Sequence, residues 1–458
     1  MWKRKLYAWH RKLAIIALIP VLMWTISGIM HPMMSNFKPD LAKKFIRPQE
    51  IPVERLTVDL DSALQLNGIQ EMTNFRVVSF DGNTFFQVKL PNQDELVYLN
   101  CQNGHVLANG DEQYAVYLAR EFAGDQNSAV AGITVQHDFS IEYARIFRLK
   151  PAYRVAFKRD DGLRVFVETR SSRLGTAVND SRAAFSWIFA QLHNWHFLNF
   201  NEYVRISVIL VFVLICFAAA SSGIIVYGLL GKKKGNGLRK YHRSIGIVVS
   251  FALLLFGVSA AFHIVPKYQP DERDQFHNDQ RYSLANLNLE LVEVMQRARA
   301  LGKITNLSLA RMDGTDYLQV AIVVNRAKQL HYFDLAKQTW LKNGDEQYAA
   351  YLANKFSGYE ANQLESITPI TKFGGEYGFV NKRLPVFKVQ YQVANHERLY
   401  VETATGKLGA KVTDSQAFAG FMFGYFHKYH FLDFAGKIFR DVVMVLFALG
   451  NFITALLG

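Results

Sequence analysis

The stretch Gly110–Ala119, GDEQYAVYLA, returns almost unchanged as GDEQYAAYLA at Gly344–Ala353, 234 residues further along the chain. The same offset relates Val167–Thr169 to Val401–Thr403, which both read VET. Internal repeats reveal architecture because each copy forms one structural unit. The constant offset therefore predicts a tandem duplication of the whole 458-residue chain, with halves related by a pseudo-twofold axis along the membrane normal.

Four apolar stretches are long enough to cross a bilayer, which takes about 17–25 residues. They run roughly over Leu13–Met34, Ile206–Leu230, Ile245–Val265 and Asp441–Leu457. Half of all residues are hydrophobic and a fifth are charged, which fits a membrane protein with large soluble domains. The first stretch exceeds the apolar core of a cleaved signal peptide, about 7–15 residues, so we interpret it as a retained helix.

The net charge of +13 does not indicate nucleic-acid binding, because the basic residues concentrate beside the apolar stretches. Cytoplasmic loops of membrane proteins carry such an excess of lysine and arginine. Anionic lipid headgroups attract these basic residues to the membrane surface. We therefore expect both clusters and both termini in the cytoplasm, and the long segments after the first and third spans outside it. The clusters are Lys3, Arg4, Lys5, Arg11 and Lys12, and Lys232, Lys233, Lys234, Arg239, Lys240 and Arg243.

The predicted fold is a four-helix transmembrane bundle with two α+β outer domains. In each outer domain, helical and strand patterns alternate, which predicts two successive units of one helix followed by antiparallel strands. The predicted helices lie near residues 56–66, 112–122, 289–300 and 346–356. The domains in chain order are a transmembrane helix (1–34), an outer domain (35–202), a second transmembrane helix (203–231), a cytoplasmic loop (232–241), a third transmembrane helix (242–266), a second outer domain (267–436) and a fourth transmembrane helix (437–458).

Two segments resemble the end of a PepSY unit, where a strand runs into a turn and a second strand. They are Arg398–Leu408, RLYVETATGKL, and its repeat partner Arg164–Leu174, RVFVETRSSRL, in which serine replaces the glycine. The two basic helix starts, WHRKL at 9–13 and YHRSIG at 241–246, match each other as well. Over nearly its whole length the chain resembles the PepSY-associated transmembrane family, and within it the inner-membrane siderophore-iron reductases.

The resemblance implies a bacterial inner-membrane protein with PepSY-like periplasmic domains and b-type haem. It also implies a ferric siderophore or another ferric chelate as substrate, which would be reduced to release iron. PepSY units elsewhere act as inhibitory or regulatory modules. The alternative implied by the resemblance is therefore a non-enzymatic membrane module that binds or regulates a periplasmic partner.

Eight of the 13 histidines form four repeat-matched pairs at the ends of spans. Ionisable residues at membrane depth are costly and are usually functional. Haem held without covalent bonds in a helical bundle needs two imidazoles on opposite sides of the ring, usually from different helices. We therefore predict that these histidines bind haem b. The pairs are His10/His242, His31/His263, His193/His427 and His196/His430, with His31, His196, His263 and His430 expected as axial ligands.

Spacing places these histidines at two levels of the bundle. His10 and His31 are 21 residues apart, or about 31 Å along one helix, so they lie at opposite membrane faces. His193 and His196 are expected to share one helical face, so that each His-x-x-His segment offers one ligand. The simplest arrangement is two haems near the outer face, one per half, using His31 and His263 respectively with a His-x-x-His histidine. His10 and His242 would bind a further haem or cap their helices.

Several other activities find no support in the sequence. There is no Gly-x-Gly-x-x-Gly after a strand, no P-loop, no Gly-x-Ser-x-Gly and no His-Glu-x-x-His, so a reductase would take electrons from a quinol or a partner reductase. Zinc would need a further Glu or Cys in register with His-x-x-His. The spans lack the broken-helix signals of transporters. The two cysteines, Cys101 and Cys216, are not expected to meet.

The remaining histidines and the aromatic residues near the outer face have simpler interpretations. We expect the aromatic residues to form an interfacial belt, as tryptophan and tyrosine do at membrane surfaces. The unmatched histidines are expected on the surface or in loops. The aromatic residues are Trp187, Trp195, Tyr203, Tyr425 and Tyr429, and the histidines are His105, His137, His277, His331 and His396.

Overall fold

The computed structural model describes residues 2–230, 237–268, 276–287 and 289–458. It divides into two compact units. The helical unit comprises Met1–Lys38, Asn179–Asp271 and Thr413–Gly458, and the sheet unit comprises Pro39–Val178 and Glu272–Val412. Residues 232–236 of the predicted loop 232–241, including Lys232, Lys233 and Lys234, lie outside the described residues.

Among its described residues, the helical unit contains four helices that are long and apolar enough to cross a membrane. They are α1 (Trp2–Met33), α5 (Glu202–Leu230), α6 (Leu238–Ile264) and α10 (Lys437–Leu457). These four helices confirm the predicted spans, although each helix begins several residues before its apolar stretch. Helices α1 and α6 each contact both α5 and α10, so the four helices form a closed bundle.

Two shorter helices complete the helical unit at matched positions. Helix α4 (Asp180–Leu192) packs against α1, and α9 (Asp414–Met422) packs against α6. Each begins with a capped N-terminus, because the side chains of Asn179 and Thr413 accept hydrogen bonds from backbone N–H groups that the helix leaves unpaired. These helices carry the chain into the two His-x-x-His segments.

The sheet unit repeats one pattern, a helix followed by an antiparallel sheet. Each sheet runs in simple chain order, β2-β3-β4, β5-β6-β7-β8, β10-β11-β12-β13 and β14-β15-β16-β17. The four helices are α2 (Leu60–Leu66), α3 (Gly110–Ala123), α7 (Leu291–Ala298) and α8 (Gly344–Ser357). The strands are β1 (Glu71–Met72), β2 (Asn74–Phe80), β3 (Asn83–Lys89), β4 (Leu96–Asn100), β5 (Val130–Gln136), β6 (Ala152–Phe157), β7 (Arg164–Glu168), β8 (Arg173–Val178), β9 (Tyr282–Ser283), β10 (Lys303–Met312), β11 (Thr315–Val324), β12 (Ala327–Asp334), β13 (Thr339–Leu341), β14 (Leu364–Ile370), β15 (Val386–Tyr391), β16 (Arg398–Glu402) and β17 (Lys407–Val412).

The repeated stretch that begins at Gly110 starts α3, and its copy starts α8. A Cβ atom on Gly110 would lie 2.8 Å from the ring of Tyr98, so only glycine lets the helix start against that ring. The next residue, Asp111, accepts a hydrogen bond of 2.9 Å from the Tyr98 hydroxyl. Gly344 and Asp345 repeat both contacts with Tyr332. The sequence repeat therefore preserves a buried helix-to-sheet junction.

The two halves of the sheet unit share one hydrophobic core. Its buried residues come from both halves, including Phe75 and Phe86 from the first and Leu309 and Leu318 from the second. Strands β1 and β9, one from each half, pair antiparallel. The amide side chain of Asn74 bonds to both the N–H and the carbonyl of Leu309, at 2.9 and 3.1 Å. The halves are thus built into a single unit.

Candidate functional site

Four predicted site histidines lie at one end of the helical unit, the end of α1 that carries His31. Here six aromatic rings follow one another in a chain that the duplication makes symmetric. Its outer histidines come from the spans and its inner histidines from the His-x-x-His segments. The successive centroid distances are His31–Phe189 5.4 Å, Phe189–His193 4.6 Å, His193–His427 6.2 Å, His427–Phe423 4.9 Å and Phe423–His263 3.9 Å.

The centre of this ring chain is a pair of histidines from opposite halves. His193 and His427 face each other edge to face, with planes at 79°. The sequence predicted that each span histidine would pair with a His-x-x-His histidine. Instead a phenylalanine ring lies between His31 and His193, and another between His263 and His427. Phe189 and Phe423 were missed, although their offset of 234 residues marks them as repeat-matched.

The expectation that His193 and His196 share a helical face is wrong. Helix α4 ends at Leu192, and Trp195 takes a left-handed backbone conformation with φ of 52°. In the second half Tyr429 does the same, with φ of 53°. Left-handed backbone reverses the helical path. The two histidines of each His-x-x-His segment therefore lie on different structural elements.

His196 and His430, the second histidines of the two His-x-x-His segments, have different surroundings from His193 and His427. His430 bonds through Nδ1 to Asp433, at 2.7 Å, and the guanidinium of Arg440 lies beside both. The His430 side chain is 40% exposed. His196 begins the short 3₁₀ helix His196–Leu198 and is half-buried. Within the described residues, neither ring contacts another of the eight matched histidines.

Two serines hold the central histidines. Oγ of Ser27 lies 3.0 Å from Nδ1 of His193, and Oγ of Ser259 lies 3.2 Å from Nδ1 of His427. Both serines are fully buried in their spans. A metal-binding histidine is usually oriented through its second ring nitrogen. With Nδ1 engaged, Nε2 of each ring is the nitrogen available to a metal.

Trp195 and Tyr429 are buried, so the interfacial belt was the wrong interpretation for these two residues. Trp195 is 4% exposed and stacks on Trp24 at 5.3 Å, while Tyr429 is 2% exposed and stacks on Phe256 at the same distance. Trp24 also donates a hydrogen bond of 3.2 Å to the carbonyl oxygen of His193. These stacks fix the segment between the two histidines. Trp187, Tyr203 and Tyr425 are exposed, as a belt requires.

Positive charge surrounds the His31 end. Arg182 and Lys428 are half-buried, and burial lowers the pKa of both. Arg182 donates to the carbonyl oxygen of Met34, at 2.7 Å, and Lys428 lies over the ring of Phe423. Neither forms an ion pair with a carboxylate in the part of the chain that the structure describes. Cations placed this way suit an anionic group.

The other two matched histidines face each other at the opposite end of the bundle. The ring centroids of His10 and His242 are 6.5 Å apart. Nδ1 of His10 lies 3.1 Å from the carbonyl oxygen of Ala219, and Nδ1 of His242 lies 3.0 Å from that of Thr454. Gly223 leaves room for the His10 ring, because a Cβ atom there would lie 2.9 Å from it.

The two histidine pairs are separated by about half of the length of α1. Ser27, which contacts His193, is 17 residues beyond His10, which is about 25 Å in an α-helix. Each pair brings together residues from both halves of the duplication. Each also leaves Nε2 of both rings available. The helical unit therefore has an equivalent arrangement of two imidazoles at each end.

The remaining five histidines lie apart from these pairs. His105, His137, His277 and His396 are exposed, and His331 is half-buried on β12 beside Trp340. Among the described residues, no group of three or more His, Cys, Asp or Glu side chains could hold a bare metal ion. Cys101 and Cys216 are both buried and free.

The centroid separation of each histidine pair matches that of two imidazoles bound to one metal. Metal–imidazole bonds are about 2 Å long, so imidazoles on opposite sides of one metal have centroids about 6 Å apart. The observed 6.2 and 6.5 Å agree with that spacing. Since the porphyrin supplies the other four nitrogens, two histidines are a sufficient protein donor set.

Comparison with known proteins adds no relative to this description. No protein-family model matches the chain, and no curated protein matches it significantly.

Proposed function

We propose that this protein is a b-type haem protein of the bacterial inner membrane that transfers electrons to a ferric complex, a ferric siderophore in particular. The observation that carries the proposal is the pair of facing histidines at each end of the four-helix bundle, at 6.2 and 6.5 Å. Histidines placed so at membrane depth are costly unless they bind something. Two haems, one at each end, would give electrons a route from one membrane face to the other.

The proposal assigns a role to each part of the helical unit. His10 with His242, and His193 with His427, would hold the haems through Nε2, and bound haem would supply reversible one-electron chemistry. Ring stacking and the four spans would exclude water from the histidines. Arg182 and Lys428 would balance the carboxylate groups that haem carries.

This arrangement differs from the one expected from the sequence, in which each half of the duplication would hold its own haem. The central histidines belong to different halves, so each proposed site lies between the halves and needs both of them. The duplication would then serve to build two-sided sites from one repeated element. His31 and His263 end the ring chain and remain candidate ligands only if Phe189 and Phe423 move.

The direction of transfer follows from charge. The cluster Lys3, Arg4, Lys5, Arg11 and Lys12 lies at the His10 end of α1, which favours the cytoplasm for that end. Electrons would enter there from a quinol or a partner reductase, and leave at the His31 end. One electron reduces one ferric ion to the ferrous state. Hard-oxygen chelators hold iron(II) much less tightly, so reduction would release the metal.

The resemblance to PepSY-associated reductases also supports a ferric siderophore as the substrate. The repeated helix-and-sheet units of the sheet unit agree with the predicted plan of two such units in each half. We propose that they form PepSY-like periplasmic domains that provide a docking surface for the ferric chelate. The competing proposal is a PepSY module that binds or regulates a periplasmic partner, with the histidines in structural roles.

A visible spectrum of the detergent-purified protein, recorded before and after dithionite, tests the proposal. Six-coordinate b haem would give a sharpened band pattern on reduction, and a ferric siderophore would then reoxidise the protein. A colourless preparation from cells with ample haem would overturn the haem assignment and favour the regulatory module. Haem that a ferric siderophore fails to reoxidise would overturn the substrate alone.

A further inference from the structure

All four facing histidines are held by the same ring nitrogen. Nδ1 of His10 and of His242 lies at hydrogen-bond distance from a backbone carbonyl oxygen, and Nδ1 of His10 also lies 3.1 Å from Oγ of Ser222, whose hydroxyl donates to the same Ala219 carbonyl. A carbonyl can only accept, so Nδ1 must carry the proton in both rings. A neutral imidazole with a proton on Nδ1 has its lone pair on Nε2. The backbone thus fixes the ligating tautomer at the His10 end.

At the His31 end the partner is a serine hydroxyl, which can donate or accept. Ser27 has one hydroxyl proton, and Oγ lies 2.8 Å from the carbonyl oxygen of Met23, one turn back on α1. Ser259 has the same contact with Leu255, at 2.7 Å. Because that carbonyl takes the hydroxyl proton, Oγ is left to accept from the histidine.

We infer that Ser27 and Ser259 are positioning residues that hold His193 and His427 in the tautomer whose Nε2 is free to bind a metal. The arrangement is found twice, at positions 232 residues apart, with Oγ–Nδ1 distances of 3.0 and 3.2 Å. Each serine thereby passes the acceptor character of a backbone carbonyl on to the ring that it contacts. This inference rests on the proposed haem function for its ligand.

Hydrogen bonding at Nδ1 makes the imidazole a more basic ligand. A more basic ligand stabilises the oxidised metal, so the serine contacts would lower the midpoint potential at the His193/His427 site. Loss of the outer partner of a metal-binding histidine typically weakens metal affinity about 10- to 100-fold. Both effects are measurable without the physiological substrate.

Thr25 provides a matched control on the same helix. It is buried, and its hydroxyl donates to the carbonyl oxygen of Val21 at 2.7 Å, just as Ser27 bonds to Met23. No histidine contacts Thr25 within the described residues. Thr25→Ala therefore removes the same kind of helix bond and a buried hydroxyl, and leaves the histidines alone.

The experiment titrates the full-length apoprotein in detergent with haemin, for the wild type, the double variant Ser27→Ala/Ser259→Ala and Thr25→Ala. One of the two haem equivalents should bind about 10- to 100-fold more weakly in the double variant, and its midpoint potential should rise. Ser27→Thr/Ser259→Thr, which keeps both hydroxyls, should restore both values. A double variant that matches Thr25→Ala in affinity and potential would overturn the inference.

The tautomer can also be read without haem, which separates this inference from the proposed function. In the apoprotein labelled with ¹⁵N-histidine, the resonances lost in His193→Ala and His427→Ala should show a protonated Nδ1. The double serine variant should show mixed tautomers at these positions. Wild-type protein that binds no haem yet shows these shifts would defeat the haem proposal and leave the serine assignment standing. A protonated Nε2 in the wild type would overturn the assignment.

Discussion

Arg173 and Glu402 form a two-point ion pair across the duplication. Nη1 and Nη2 of the arginine, from the first half, donate to the two carboxylate oxygens of the glutamate, from the second, with Nη1 at 3.1 Å from Oε2. In the repeat-matched pair the halves exchange roles: Lys407, from the second half, lies 3.8 Å from Glu168, from the first. Each half therefore supplies a cation to the other half's glutamate.

A third cation breaks the symmetry of this cluster. The guanidinium of Arg383 lies 2.8 Å from Glu402 and 3.7 Å from Glu168, while the matched position in the first half is Leu149. Both glutamate side chains are almost completely buried. Buried charges are tolerated only with close partners, and both glutamates have partners from the opposite half of the sheet unit.

Removing one of these carboxylates should destabilise the sheet unit strongly. Glu402→Gln leaves Arg173 and Arg383 without their main counter-charge, and breaking a buried pair in this way costs about 3–5 kcal/mol. The matched control is Glu293→Gln, whose ion pair with Arg297 is half exposed and contributes about 0–1 kcal/mol. Thermal unfolding of the solubilised protein measures both. Equal melting temperatures for the two variants would contradict the assignment.

The same cluster should make stability depend on acid pH. Burial alone would raise the pKa of Glu402, but Arg173 and Arg383 outweigh it and hold the pKa below its usual value of 4.5. The folded protein then binds fewer protons than the unfolded chain, so stability is present above pH 4.5 and is lost as the pH falls further. Melting temperatures measured from about pH 6 to about pH 3 should fall, and less steeply in Glu402→Gln. Identical slopes would count against this carboxylate as a source of acid sensitivity.

The repeat made most of the fold predictable, because matched motifs reveal equal elements without any knowledge of packing. The four spans followed from apolar stretches of bilayer length, and the repeat showed that the helix-and-sheet order of one half recurs in the other. Strands β5 and β14 have weak strand patterns, since they contain Gly132 and Pro369 respectively. Both strands lie at the edge of their sheets, where proline is tolerated.

The sequence predicted which histidines form the candidate site, but it did not predict which of them face each other. Matched histidines at the span ends identified the residues, because they are rare and costly there. Their partners depend on which helices are neighbours and on how the backbone turns after α4. A left-handed tryptophan or tyrosine is not a usual helix terminator, since glycine and asparagine have that role. No local pattern therefore predicted that His193 and His196 would separate.

Trp195 should be essential for the left-handed turn after α4 that separates His193 from His196. Trp195→Ala removes the stack on Trp24 and leaves a cavity, which for a buried tryptophan costs about 3–5 kcal/mol. Trp187→Ala, eight residues earlier and 56% exposed, should change stability by less than about 0.5 kcal/mol. The melting temperature in detergent distinguishes them, and a similar loss in both variants would show that stacking at position 195 is not special.

Haem at the His10 end should depend on both facing histidines. His10→Ala or His242→Ala should each reduce the haem content from two to one per chain, because six-coordinate b haem needs both imidazoles. The pyridine haemochrome absorbance per protein measures the content. His105→Ala, in an exposed turn, is the control and should retain both haems. Two haems in His10→Ala would show that these histidines only hold their helices.

The two histidines of one His-x-x-His segment should behave differently. His427 faces His193 at 6.2 Å, whereas His430 is bound to Asp433 and Arg440. His427→Ala should therefore lose one haem, and His430→Ala should keep two while the melting temperature changes little. His31→Ala decides between the possible pairings, since Phe189 separates it from His193. If the central pair holds the haem, His31→Ala keeps both haems with unchanged low-spin bands. Loss of one haem in His31→Ala and of another in His263→Ala would instead establish one haem per half, and would require both phenylalanines to move when haem binds.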